Sequence, residues 1–81
     1  MQICNVVGSV ISTRKNEALM GCRFLIVENK NAKFVAVDNI GAGVGETVLV
    51  VVGSAARVAV GNMDIPTDAA IVGIVDEGSA Q

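Results

Sequence analysis

Five consecutive aliphatic residues, Val48-Leu49-Val50-Val51-Val52, constrain the fold of this chain more than any other feature. Four of the five are β-branched, which favours a strand over a helix. A strand with no polar position in its alternation is covered on both faces. Only 81 residues are available to cover it. A domain of this size buries about 60% or slightly more of the surface exposed by its unfolded chain. Yet 52% of the residues are hydrophobic and 17% are charged. One small core cannot take up that much apolar surface, so part of it is expected at contacts between subunits. Neither usual alternative for stabilising a small domain is well supplied. Cys4 and Cys22 do not make a secreted-type disulfide framework, and without histidine they do not complete a structural zinc site. Both are read as small buried hydrophobes in a reducing compartment.

The rest of the chain follows the same β-rich pattern, as a single domain over residues 1–81. Gln2–Ser12 reads as a long first strand with Gly8 as a bend point. Thr13–Glu17 is a polar loop, and Ala18–Gly21 leads back toward the core. Cys22–Glu28 and Lys33–Asp38 read as a hairpin joined by the tight connection Asn29-Lys30-Asn31. Phe24 and Phe34 fall on these two strands and are expected to pair across them in the core. A glycine-rich loop, Asn39–Gly45, precedes the fourth strand, Glu46–Val52. Gly53-Ser54 breaks that strand, and Ser54 is placed as the N-cap of a short helix, Ala55–Ala59. Gly61–Asp68 is irregular, Ala69–Val75 is the fifth strand, and Asp76–Gln81 is a polar tail. Five strands and one short helix predict an all-β fold, a small OB-like five-stranded β-barrel, whose closure removes open sheet edges.

The chemical motifs are sparse. Gly41-Ala42-Gly43-Val44-Gly45-Glu46 resembles a dinucleotide fingerprint at first sight. It has Glu46 where the third glycine belongs, and it opens a strand rather than the helix that would receive a pyrophosphate. Two structural readings remain for Gly41, Ala42 and Gly43. Several copies of the loop converge on a symmetry axis, where side chains would clash, or the loop is an ordinary turn. No His, Tyr or Trp is present to carry catalysis. Asp38 and Glu46 flank the loop and are read as solvated residues or as partners in a ring of ion pairs rather than as a catalytic pair. Asp64, Asp68 and Asp76 lack the spacing of a calcium loop. No cofactor and no metal are expected. Arg57, on the short helix with few charges around it, is assigned to a contact across subunits, as a planar donor fork to a carboxylate or carbonyl. Single-stranded nucleic-acid binding is the rival function for an OB-like barrel. It requires stacking aromatics and a basic groove. The net charge of −2 and the absence of aromatics beyond the two phenylalanines oppose it. The opening residues show no leader pattern, and the longest apolar runs fall far short of the ~20 residues of a membrane helix. A cytoplasmic protein with no membrane partner is expected.

Four segments taken together carry a resemblance over nearly the whole chain: Val10–Lys15 with Leu19-Met20-Gly21; Val35–Glu46; Val48–Arg57; and Pro66–Asp76. In this order and spacing they resemble the EutN/CcmL family of microcompartment vertex proteins. The resemblance implies an OB-like barrel that assembles as a homopentamer, without a catalytic cofactor, at the five-fold vertices of a polyhedral bacterial shell. Hexameric shell proteins, which form the flat facets, are the implied partners. It places Gly41, Ala42 and Gly43 near the five-fold axis around a narrow opening. Asp38, Glu46, Ser54 and Arg57 are the expected subunit-interface residues.

Overall fold

The computed structural model describes residues 1–11, 23–61 and 67–76. Five strands and one helix follow in the order β1 (Gln2–Val10), β2 (Arg23–Glu28), β3 (Lys33–Asp38), β4 (Thr47–Val52), α1 (Ser54–Val60) and β5 (Ala69–Val75). The strands close into a barrel in the order β1-β2-β3-β5-β4. All neighbours are antiparallel except β3 and β5, which run parallel over Val37–Asp38 and Ala70–Ile71. This is the five-stranded barrel expected from the sequence, with α1 between the fourth and fifth strands.

The barrel interior is filled by alternate residues of every strand. Cys4 and Val6 of β1, Leu25 and Val27 of β2, Ala36 of β3, Val48 and Val50 of β4, and Ala69 and Ile71 of β5 form one buried cluster. A smaller cluster lies outside the barrel wall, where Ala56 and Val60 of α1 cover Val51 and Ala70. The register slips between Val6 and Gly8 of β1 and between Leu49 and Val50 of β4. These irregularities bend the strands and help a small sheet to close on itself.

Several details depart from the sequence reading. Within Val48–Val52, Val48 and Val50 point inward, but Val51 is covered by the chain's own helix rather than by a partner, and Val52 is exposed. Ser54 is not the helix cap. Gly53 takes that position at φ 73°, ψ −152°, a conformation closed to residues with a side chain, and Ser54 is the first helical residue. Gly53 is held by its N–H, which donates to the Asp68 carbonyl at 2.8 Å. Phe24 and Phe34 do not pair. Phe24 faces Val37 and Phe34 faces Val27. Phe34 packs on the barrel core, whereas Phe24 belongs to the alternate set on the outer wall. Asn29 closes the β2–β3 hairpin as expected: its Oδ1 accepts the N–H groups of Asn31 and Ala32, and its Nδ2 donates to Gln2 Oε1 at 2.8 Å and to the buried Cys4 sulfur at 3.6 Å. Cys22, Arg14, Lys15, Asp64 and the tail beyond Asp76 lie outside the described residues.

Candidate assembly surfaces

The glycine loop between β3 and β4 is held rigidly at both ends. On its first side, the Asp38 side chain has no exposed surface. Asp38 Oδ1 accepts the N–H groups of Ile40 at 3.0 Å and Gly41 at 3.1 Å, and Oδ2 pairs with Arg23 Nη1 at 2.9 Å. Such an aspartate turn needs a reversal soon after it, and Gly41 supplies one at φ 88°. On the other side, Glu46 Oε1 accepts the Gly43 N–H at 2.7 Å, while the Gly43 carbonyl accepts the Glu46 N–H at 3.1 Å. Gly45 donates to the Val6 carbonyl at 2.9 Å, which fastens the loop to β1.

This geometry revises the expected roles. Ala42 is buried and joins the barrel core, so it offers no side chain to a symmetry axis. Gly43 is half-buried beside Glu46. The crest that the loop shows to its surroundings is Ile40, Gly41, Val44 and Gly45. Asp38 cannot reach across to another subunit, because its carboxylate is enclosed and used within its own chain. Glu46 is partly committed in the same way. Ser54 and Arg57 do lie at exposed positions. They line a shallow depression with Gly53, Thr67 and Asp68, and Arg57 Nε donates to the Thr67 carbonyl at 3.4 Å. The glycine loop and this depression lie at opposite ends of β4, about 17 Å apart for six extended residues. The predicted residues therefore form two groups rather than one site.

What the sequence reading did not resolve is the outer wall of the barrel. Strand pairing sorts its outward residues into rows. Ile3 of β1 lies beside Leu49 of β4, which lies beside Gly73 of β5, with exposed Val72 next to it. Further round, exposed Val10 pairs with Phe24, and Ile26 pairs with exposed Val35. A polar row separates these two apolar faces. Thr47 Oγ1 donates to Asn5 Oδ1 at 3.0 Å, Asn5 is opposite Glu28, and Glu28 pairs with Lys33 at 3.7 Å. Alternation within each strand was the available signal; the positions of the bulges, which decide its phase, were not.

Among the described residues no three His, Cys, Asp or Glu side chains group to hold a metal ion, and no helix is long and apolar enough to cross a membrane. Ile3 is 60% exposed, Val35 44% and Val44 65%, a large apolar display for a small barrel. Apolar surface of this kind is what a subunit of an assembly presents to its neighbours.

The comparisons with known proteins identify the assembly class. Residues 1–76 match the model of the family described as ethanolamine utilisation protein EutN/carboxysome. The bacterial microcompartment shell vertex protein GrpN of Rhodospirillum rubrum is 45% identical, with 94% of this chain and 93% of GrpN covered. The carboxysome shell vertex protein CcmL of Synechocystis is 46% identical, covering 94% of this chain and 83% of CcmL. Among solved structures, an ethanolamine utilization protein EutN superposes with a TM-score of 0.88 at 39% identity, covering 95% of this chain and 88% of the other. The GrpN pentameric microcompartment shell protein from Rhodospirillum rubrum superposes with a TM-score of 0.80 at 42% identity, covering 94% of each chain. The chain belongs to the EutN/CcmL family.

Proposed function

We propose that this chain closes into a homopentamer that caps the five-fold vertices of a polyhedral bacterial microcompartment. The observation that carries the reading is the family match over residues 1–76, with relatives named as shell vertex proteins and solved as pentameric shell proteins. The physics agrees with it. A closed ring repeats one head-to-tail contact, so each subunit presents two different faces, and the outer wall carries two apolar faces separated by a polar row. Function on this reading is geometric and not catalytic. Hexameric shell proteins tile flat facets, and a pentamer inserted among them supplies the curvature that closes a polyhedron in the cytoplasm.

The glycine loop is assigned to the neighbourhood of the five-fold axis, where Gly41, Ala42 and Gly43 contribute backbone and no bulk. Ser54 and Arg57 remain the polar residues best placed to meet a neighbouring subunit. Nucleic-acid binding finds less support, since Phe24 and Phe34 lie on opposite sides of the barrel wall and offer no shared stacking platform.

Co-expression with hexameric facet proteins tests the role. Closed polyhedra seen by electron microscopy with the chain, and open or elongated shells without it, are expected. Closed shells of the same form in its absence would contradict the capping function.

A further inference from the structure

The end of the barrel opposite the glycine loop carries two adjoining depressions that share Gly53 and Asp68. One is mainly apolar and is lined by Phe34, Val52 and Ala69, with Gln2 beside them. The other is charged and is lined by Ser54, Arg57 and Thr67. The frame around both is fixed. The Gly53 N–H donates to the Asp68 carbonyl at 2.8 Å, and Ala56 and Val60 pack α1 onto Val51 and Ala70. Elsewhere in the chain, Arg23 and Lys33 are each engaged by a carboxylate, of Asp38 and Glu28. Arg57 is not. Its Nε donates to the Thr67 carbonyl at 3.4 Å, and among the described residues its guanidinium has no ion-pair partner. The Asp68 carboxylate, on the same depression, has none either.

We infer that this end of the barrel receives a subunit of the hexameric facet protein, with one apolar side chain entering the Phe34–Val52–Ala69 depression and an adjacent carboxylate meeting Arg57. A guanidinium held at Nε keeps its outer N–H groups as a planar fork for a carboxylate. Asp68 decides what kind of carboxylate fits. A free anion would meet its like charge, whereas a protein edge brings a carboxylate and an N–H donor together and satisfies both signs. An apolar pocket beside that pair supplies the anchor on which binding energy at protein contacts concentrates. Position selects the partner. The glycine loop leads into β4 and these depressions follow its end, about 17 Å away for six extended residues. With the loop near the ring axis, this is the end farthest from it along the strand, where a vertex meets its surroundings. The inference rests on the capping reading and assigns the surface through which the ring meets the facets.

Shells co-expressed with Arg57→Glu or Val52→Glu in place of the unmodified chain test it. Both positions are exposed and outside the barrel core. Each variant is expected to keep the circular dichroism and the ring mass of the unmodified chain in solution. The amount of chain retained per facet subunit in purified shells is expected to fall about tenfold or more. Arg57→Gln and Val52→Ser, milder changes at the same positions, should lower retention in the same direction. Full retention of either glutamate variant in closed shells would overturn the inference. So would a folded variant that no longer forms rings, which would give this end of the barrel to a neighbouring copy of the chain. Unmodified rings that are missing from the shells would remove the capping reading itself, an outcome distinct from both.

Discussion

Asp38 shows how one residue organises the glycine loop. A carboxylate with no exposed surface is tolerated only when its oxygens are fully engaged, and here two backbone N–H groups and the Arg23 guanidinium engage them. Removing the side chain orphans the Ile40 and Gly41 N–H groups and leaves Arg23 unpaired. Asp38→Ala is therefore expected to lower the unfolding free energy by about 3 kcal/mol. Asp38→Asn keeps an acceptor for the loop N–H groups and is expected to cost clearly less. Urea unfolding at one fixed protein concentration compares the two, since assembly also contributes to apparent stability. Equal losses would show that the loop bonds contribute little and the ion pair nearly everything. Nothing in the sequence announced this role. Asp38 was legible as a charged residue beside a glycine loop, but its inward direction follows from where β3 ends and how the turn folds back. The same holds for Ala42, whose burial depends on the path of the loop and not on its composition.

At the scale of elements, the chain was largely legible. β3 and β5 have the bounds that hydrophobic patterning and the flanking turn residues imply, and the helix lies between the fourth and fifth strands as expected. The errors concentrate where alternation changes phase. The extra residue Val7 of β1, between Val6 and Gly8, and the extra residue Val72 of β5, opposite the Leu49–Val50 step of β4, shift which residues of those strands face inward, and single-sequence periodicity does not locate such shifts. Phe24 and Phe34 were misassigned for a related reason: an even separation in sequence does not place two residues of antiparallel strands on one face, because register decides. The glycine loop offers an element-scale test of the axial assignment. Among the described residues, a Cβ at Gly43 would meet only Glu46 Oε1, at an ordinary 3.5 Å. Gly43→Trp should therefore fold as an isolated barrel while failing to form the ring, since several indoles cannot share one axis. Chromatographic mass and circular dichroism read the two properties separately. Normal rings from this variant would remove the loop from the axis.

For the whole molecule, the surplus of apolar residues was the most informative quantity. An 81-residue barrel with 52% hydrophobic residues does not internalise them all, and the structure shows part of the surplus on two outer-wall faces divided by a hydrogen-bonded polar row and part on the loop crest and the helix. The sequence showed that such faces must exist but not where they lie, because their location depends on strand order around a closed barrel. Two unlike faces on one small subunit are compatible with a head-to-tail ring, the assembly that the proposed vertex role requires. Native mass spectrometry of the unmodified chain tests that assembly most directly. A closed ring of five is expected at five times the 8.3 kDa of the chain, about 41.5 kDa. A dominant monomer or an even-numbered assembly at micromolar concentration would contradict the account.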